Sequence, residues 1–211
     1  MPRGQTKKNL LEEATRLFAE KGYNVVTVRE IGAAVGLNES AIYRNYTGKA
    51  DILNEIMSEF SRKLGTYLLT PEKVEPLLET DTPHELLNRF DSTSKFHESE
   101  LEFMRQAFRV VFMEQLTNER AKEIIIGQLH KETADSIKYV LDKLMERGSI
   151  PEIDTGFLAE IWAHTMFSVS LMWMYHYPDT QKAIEESEKF RIISEKLVDM
   201  ALSGKAPPKD P

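Results

Sequence analysis

The chain has no cysteine, so disulfides and thiolate metal ligands play no part in its stability or chemistry. No apolar run reaches the ~18 residues of a membrane span. The basic amino terminus MPRGQTKKNL has no apolar stretch behind it, so no secretory signal is expected. A cysteine-free chain without either signal suits a reducing cytoplasm. No long stretch alternates apolar and polar residues with period two, which argues against strands. P-loop, dinucleotide-binding and nucleophile-elbow signatures are also missing. The histidines at 84, 97, 130, 164 and 176 are scattered, with no pair four apart beside a carboxylate. They read as core or surface residues, so neither a cofactor nor a metal is expected, and the chain does not read as an enzyme.

What is present is helix. Hydrophobic content of 41% suffices for a packed core, and apolar residues recur at three- and four-residue spacings. Net charge is −7, but residues 1–50 balance at +3 and the remainder at −10. A mildly basic head on an acidic body is compatible with binding phosphate locally.

The periodicity predicts a first helix over 5–21, with Leu10, Ala14, Leu17 and Phe18 inward and Gly22 ending it. Thr27 and Glu30 form a capping-box pattern at the start of a second helix, which Gly36 ends. Asn38 caps a third helix of about seven residues. Gly48 opens a fourth, to about Leu69. A proline-containing loop follows over 70–81. Further helices are predicted at about 83–96, 99–116, 118–147 with a break near Gly127, 154–176 and 180–202. The tail SGKAPPKDP reads as disordered.

The run TVREIGAAVGLNESAIYRNY, from Thr27 to Tyr46, reads as two short helices around a glycine turn. Gly36 supplies the positive φ of the turn, and Gly32 is small where the helices come closest. Ile31, Val35, Leu37 and Ile42 have the spacing of a small shared core. That leaves Glu39, Ser40, Tyr43 and Arg44 outward on the third helix, as a reader of the DNA major groove requires. Arg44 is the base-reading candidate, since a guanidinium pairs with guanine O6 and N7.

Residues 10–53 resemble the amino-terminal domain of TetR-type transcriptional regulators. The matching pieces are Ala14, Leu17-Phe18, Glu20, Gly22-Tyr23, Thr27-Val28-Arg29, Ile31, Ala33, Gly36, Ile42-Tyr43, Lys49 and Ile52-Leu53. The resemblance implies that Thr27 both caps its helix and holds a phosphate, and that Tyr43 contacts the backbone. It implies that Lys49 pairs with a phosphate at the start of the fourth helix, and it makes Arg29 a further phosphate candidate. The basic arm with Arg3, Lys7 and Lys8 is expected to approach the backbone or minor groove. Asn38, Glu39, Ser40 and Arg44 complete the expected DNA-binding set. Ser40, Ala41, Asn45 and Gly48 depart from the family pattern. Ala41 is expected to offer its methyl to thymine.

The expected fold class is all-α. A three-helix helix-turn-helix domain at 1–48 precedes a larger helical effector-binding and dimerisation domain at 49–203 and a tail at 204–211. Trp162, Met166, Val169 and Trp173 form one apolar stripe, and Phe190, Ile193, Leu197 and Met200 another. The resemblance implies that these last two helices pair two copies into a homodimer. The middle helices are rich in large soft side chains, and Phe103, Phe108 and Trp162 are candidates to line an effector pocket. The reading is a repressor released from a palindromic operator on double-stranded DNA by a small apolar or amphipathic effector. An activator or a regulator controlled by a protein partner is the alternative, with a helical carrier or enzyme behind it.

Overall fold

The computed structural model describes residues 3–90, 98–175 and 180–205, and those residues form helices and no strand. In chain order they are α1 (Arg3–Lys21), α2 (Val28–Ala34), α3 (Glu39–Ile42), α4 (Lys49–Tyr67), α5 (Pro71–Leu77), α6 (Pro83–Asn88), α7 (Glu98–Glu114) and α8 (Glu119–Lys122). A π-helical segment (Glu123–Glu132) runs into α9 (Thr133–Glu146), followed by α10 (Thr155–Tyr175) and α11 (Thr180–Ser203). No described helix is long and apolar enough to cross a membrane.

The helices pack as two compact units, one of Met1–Leu64 with His97–Ile125, the other of Gly65–Phe96 with Ile126–Pro211. In the first, α1 packs on α7 and α2, and α2 on α3. Leu10, Ala14, Leu17 and Phe18 are all buried, as their spacing predicts, together with Ile52, Ile56, Met57 and Phe60 of α4. Each such large side chain removed from water contributes about 1.5–3 kcal/mol. This packing division does not follow the functional boundary expected at residue 48, because the start of α4 belongs to the same unit as α1–α3.

In the second unit α10 lies against α9 and α11, and α6 against α11. Its core joins Val74, Leu86, Leu87 and Phe90 to Ile137, Val140, Leu141, Leu144, Trp162 and Leu197.

The structure corrects several boundaries. The 70–81 stretch is not all loop: Thr70 precedes α5, Pro71 occupies its first turn, and Val74 is fully buried. Proline at that position loses only an amide that has no intrahelical acceptor. Lys73 in turn donates to the carbonyls of Gly65 (3.1 Å), Thr66 (3.1 Å) and Leu68 (2.8 Å), closing the end of α4. α6 ends at Asn88 rather than 96, and α3 has four residues rather than seven. Around Gly127 the chain does not break. It widens into the π-helical segment, which a residue without Cβ accommodates easily. The expectations for Phe96, His97, His176, the turn 177–179 and the tail from 206, and for the side chains of Arg3, Trp173 and Phe190, lie outside the described residues.

Candidate nucleic-acid interface

The entry to α2 is built as the sequence predicts. Thr27 is extended (φ −104°, ψ 154°) and its hydroxyl accepts from the Glu30 amide at 3.2 Å. The Glu30 carboxylate accepts from the Thr27 amide at 2.8 Å and from the Thr27 hydroxyl at 3.0 Å. These hydrogen bonds, with Lys21 at 3.3 Å, hold the Glu30 carboxyl below its ordinary range.

The turn depends on two glycines. Gly36 has φ +69°, and Gly32 sits where a Cβ would stand 2.8 Å from the Leu37 carbonyl oxygen and 2.9 Å from Ile42 Cδ1. The Leu37 amide donates to the Gly32 carbonyl at 2.8 Å, so the two helices meet backbone to backbone. Ile31 and Ile42 are fully buried beneath that contact, with Val35 and Leu37 half-buried beside them.

Asn38 caps α3, its side-chain oxygen accepting from the Ala41 amide at 3.0 Å. At the other end the Asn45 side-chain amide donates to the Ala41 carbonyl at 3.0 Å. Sequence reasoning noted Asn45 only as a departure. Its position four residues after Ala41 was the available signal for this closure. Between the caps, Glu39, Ser40, Tyr43 and Arg44 are exposed, as are Thr27, Arg29 and Asn38. Ala41, expected to offer its methyl to thymine, is only 7% exposed.

Most cations of this unit already have partners. Lys7 pairs with Glu55 at 2.6 Å and lies over the Tyr46 ring, Lys8 pairs with Glu12, and Arg16 bridges Glu13 and Glu20. Lys7 lies within α1, inside the helix predicted over 5–21. Arg29 and Arg44 make no ion pair among the described residues, so both guanidiniums face outward uncompensated.

Lys49, expected to pair with a phosphate, reaches within its own unit in this structure. Its Nζ donates to the carbonyls of Tyr23 (2.7 Å), Asn24 (3.3 Å) and Val26 (2.9 Å) and lies 4.4 Å from the centre of the Tyr23 ring. An ammonium has three donors, and here all three are directed at the segment joining α1 to α2. Behind it, Thr47 donates its amide to Asp51 at 3.0 Å, which reaches back over the start of α4.

Residues 10–56 match the family described as "Bacterial regulatory proteins, tetR family". These residues belong to the TetR family. The chain is similar to the "Probable HTH-type transcriptional regulator YttP" of Bacillus subtilis (strain 168), 30% identical over 146 residues, 68% of this chain and 64% of that protein. It is similar also to the "HTH-type transcriptional repressor KstR2" of Rhodococcus jostii (strain RHA1), 26% identical over 137 residues, 61% of this chain and 66% of that protein. The matches span at most 66% of the curated relatives' own length. In fold it resembles the TetR family regulator PfmR from Thermus thermophilus, with a TM-score of 0.60 and 23% identity over 95% of this chain and 96% of that one. The two curated relatives are transcriptional regulators by name, not enzymes.

The candidate effector residues divide between the two units. Phe103 lines a cleft of about 440 Å³ in the first unit whose walls are largely charged, among them Lys7, Glu55, Lys63 and Glu100. Phe108 is core in that unit, edge-on to Phe60 and stacked with Phe112. Trp162 is fully buried in the second unit against Phe90, and its Nε1 makes no hydrogen bond among the described residues. The stripe predicted for dimer contact therefore turns inward at Trp162 and Leu197. Among the described residues the exposed large apolar side chains of the last two helices are Phe157, Ile161 and Met172 on α10 and Ile192 and Ile193 on α11, of which Ile193 belongs to the predicted stripe.

Proposed function

We propose that this chain is a ligand-responsive, DNA-binding transcriptional regulator of the cytoplasm, acting as a homodimeric repressor on a palindromic operator, and not an enzyme. The observation that carries the reading is the α2–α3 unit. Its inner face is closed by the Gly32 contact, while its outer face presents Ser40, Tyr43, Arg44 and Arg29 with both guanidiniums unpaired among the described residues. α3 presents few side chains, so specificity has to come from two copies reading two half-sites. Arg44 reads a base, and Asn38, Glu39 and Ser40 lie beside it at the helix start. Arg29, Tyr43 and Thr27 hold the backbone. Lys49 supports that surface by fixing the segment that leads into Thr27.

The exposed apolar set on α10 and α11 supports pairing of two copies through these helices. A small apolar or amphipathic effector, bound better by the form that does not fit DNA, would release the operator by a population shift. The unpartnered Trp162 Nε1 supports an effector carrying a hydrogen-bond acceptor. The domain reading of 1–48 for DNA and 49–203 for effector and dimer is part of this proposal. Gel-shift with the DNA upstream of the chain's own gene tests it. A sequence-specific shift at moderate salt, lost on adding a cell extract containing the effector, is the expected result. No specific shift with or without extract would remove the reading.

A further inference from the structure

His130 of the π-helical segment and Glu160 and His164 of α10 come together in the second unit. One nitrogen from each ring and a carboxylate oxygen all lie within 4.8 Å of one another. His130 Nε2 is 3.2 Å from His164 Nδ1, which is 3.6 Å from the Glu160 carboxylate. Two ligand atoms bound ~2.0–2.1 Å from one tetrahedral zinc stand ~3.3–3.4 Å apart. Both separations fall within a few tenths of an ångström of a shared coordination sphere.

The local geometry favours an ion over a simple contact between two rings. Ring lone pairs lie in the ring plane, so parallel stacked imidazoles cannot aim at one point. Here the rings cross at 81° with centroids 4.3 Å apart. Phe167, three residues after His164, packs edge-on to His130 and fixes that ring. His164 Nδ1 also lies 2.8 Å from the Glu160 carbonyl. With the proton on Nδ1 that contact is a hydrogen bond to the carbonyl, so coordination through Nδ1 requires the tautomer with its proton on Nε2 and a small turn of the ring away from the carbonyl. Glu160 and His164 are one helical turn apart, and the widened turn of the π-helical segment brings His130 to them. Such segments recur at functional sites.

We propose that the second unit binds one borderline divalent transition ion, zinc in the first instance, through His130 Nε2, His164 Nδ1 and the Glu160 carboxylate. Two imidazoles select zinc, nickel, cobalt or copper over magnesium and calcium, which take oxygen ligands. Glu160 and His164 are exposed, leaving the remaining coordination positions to water or to a further ligand. The site is independent of the DNA-binding reading.

The test is zinc titration of the chelator-treated, untagged full chain against a chromophoric chelator. One ion per chain is expected. His130→Ala and His164→Ala should each weaken binding about tenfold or more, on the scale of a metal site deprived of one partner, with the metal-free melting temperature unchanged. His84→Ala, whose ring pairs with Asn88, should leave zinc affinity as it was. One equivalent of cobalt added to the unaltered protein should broaden ring resonances of two of the five histidines. Equal broadening of all five or of none overturns the proposal. So does zinc affinity unchanged in the His130→Ala, His164→Ala double variant.

Discussion

Lys49 donates to the Tyr23 carbonyl at 2.7 Å while its ammonium lies 4.4 Å from the centre of the same residue's ring. One side chain thus holds both the backbone and the side chain of the segment between α1 and α2. Lys49→Ala removes charge-assisted hydrogen bonds and a cation–π contact, and is expected to destabilise the protein by about 1–3 kcal/mol. Denaturant unfolding measures this. Because all three donors point inward, operator affinity should fall alike on every sequence, with the salt dependence of binding unchanged. A shallower salt slope would return Lys49 to direct phosphate contact.

Gly32→Ala places a methyl 2.8 Å from the Leu37 carbonyl oxygen and 2.9 Å from Ile42 Cδ1. The Ile42 side chain can turn aside, but the Leu37 carbonyl is backbone and accommodates the methyl only if α2 and α3 separate. Such overpacking costs about 1–3 kcal/mol. The expected outcome is a lower unfolding midpoint together with weakened binding to all operators. Full stability with unaltered DNA binding would show that this close approach does not set the α2–α3 angle.

Arg44 and Arg29 are both exposed and unpaired among the described residues, but they sit at different places in the motif. Arg44→Ala should relax preference at one position per half-site by about 1–3 kcal/mol. Arg29→Ala should weaken all sequences alike and reduce the salt slope by about 1 for each phosphate no longer neutralised. A binding-site selection series at two salt concentrations separates them. Identical effects of the two changes would remove Arg44 from base reading.

The head was legible because each of its devices is local. Thr27 and Glu30, Asn38 and Ala41, and Gly36 with its positive φ all act within four residues, so spacing alone predicts them. The inward contacts of Lys49 were not legible because their partners lie 23 to 26 residues away, a distance no periodicity encodes. Lys73 closes α4 from only five to eight residues away, but it lies in a stretch whose two prolines read as loop. On α10 apolar residues occur all round the helix. Composition could not say that Trp162 turns inward while Phe157 and Ile161 stay out. The His130–His164 contact spans 34 residues and was invisible as a spacing.

The capping box makes stability pH-dependent in a defined direction. Hydrogen bonds from Thr27 lower the Glu30 carboxyl, and those from Thr82 lower Glu85 at the start of α6 in the same way. A carboxyl lowered on folding stabilises above its unfolded value, and that contribution is lost as pH falls through the folded value. Thr27→Ala, expected to cost about 1 kcal/mol at neutral pH, should therefore cost less below the ordinary glutamate range. Chemical unfolding of both proteins at pH 7 and pH 3 tests this. A penalty that is constant across that range would show that the hydroxyl's bond to the carboxylate contributes nothing, because Thr27→Ala leaves the backbone amide donor in place.

Tyr46 ends the recognition segment with its ring only 2% exposed and its hydroxyl without a hydrogen bond among the described residues. Burial pushes the phenol above its ordinary value, so the group stays protonated and keeps a donor it cannot use. A buried, unsatisfied hydroxyl costs about 1–3 kcal/mol in desolvation. Tyr46→Phe keeps the ring, its packing and the Lys7 ammonium 5.2 Å from the ring centre while removing only that oxygen. The change is expected to be neutral or to stabilise by about 1 kcal/mol, read as a raised unfolding midpoint with operator affinity retained. If stability is retained but operator affinity falls, the hydroxyl is held unpaired for the DNA complex, and Tyr46 joins Tyr43 among the residues that meet the backbone.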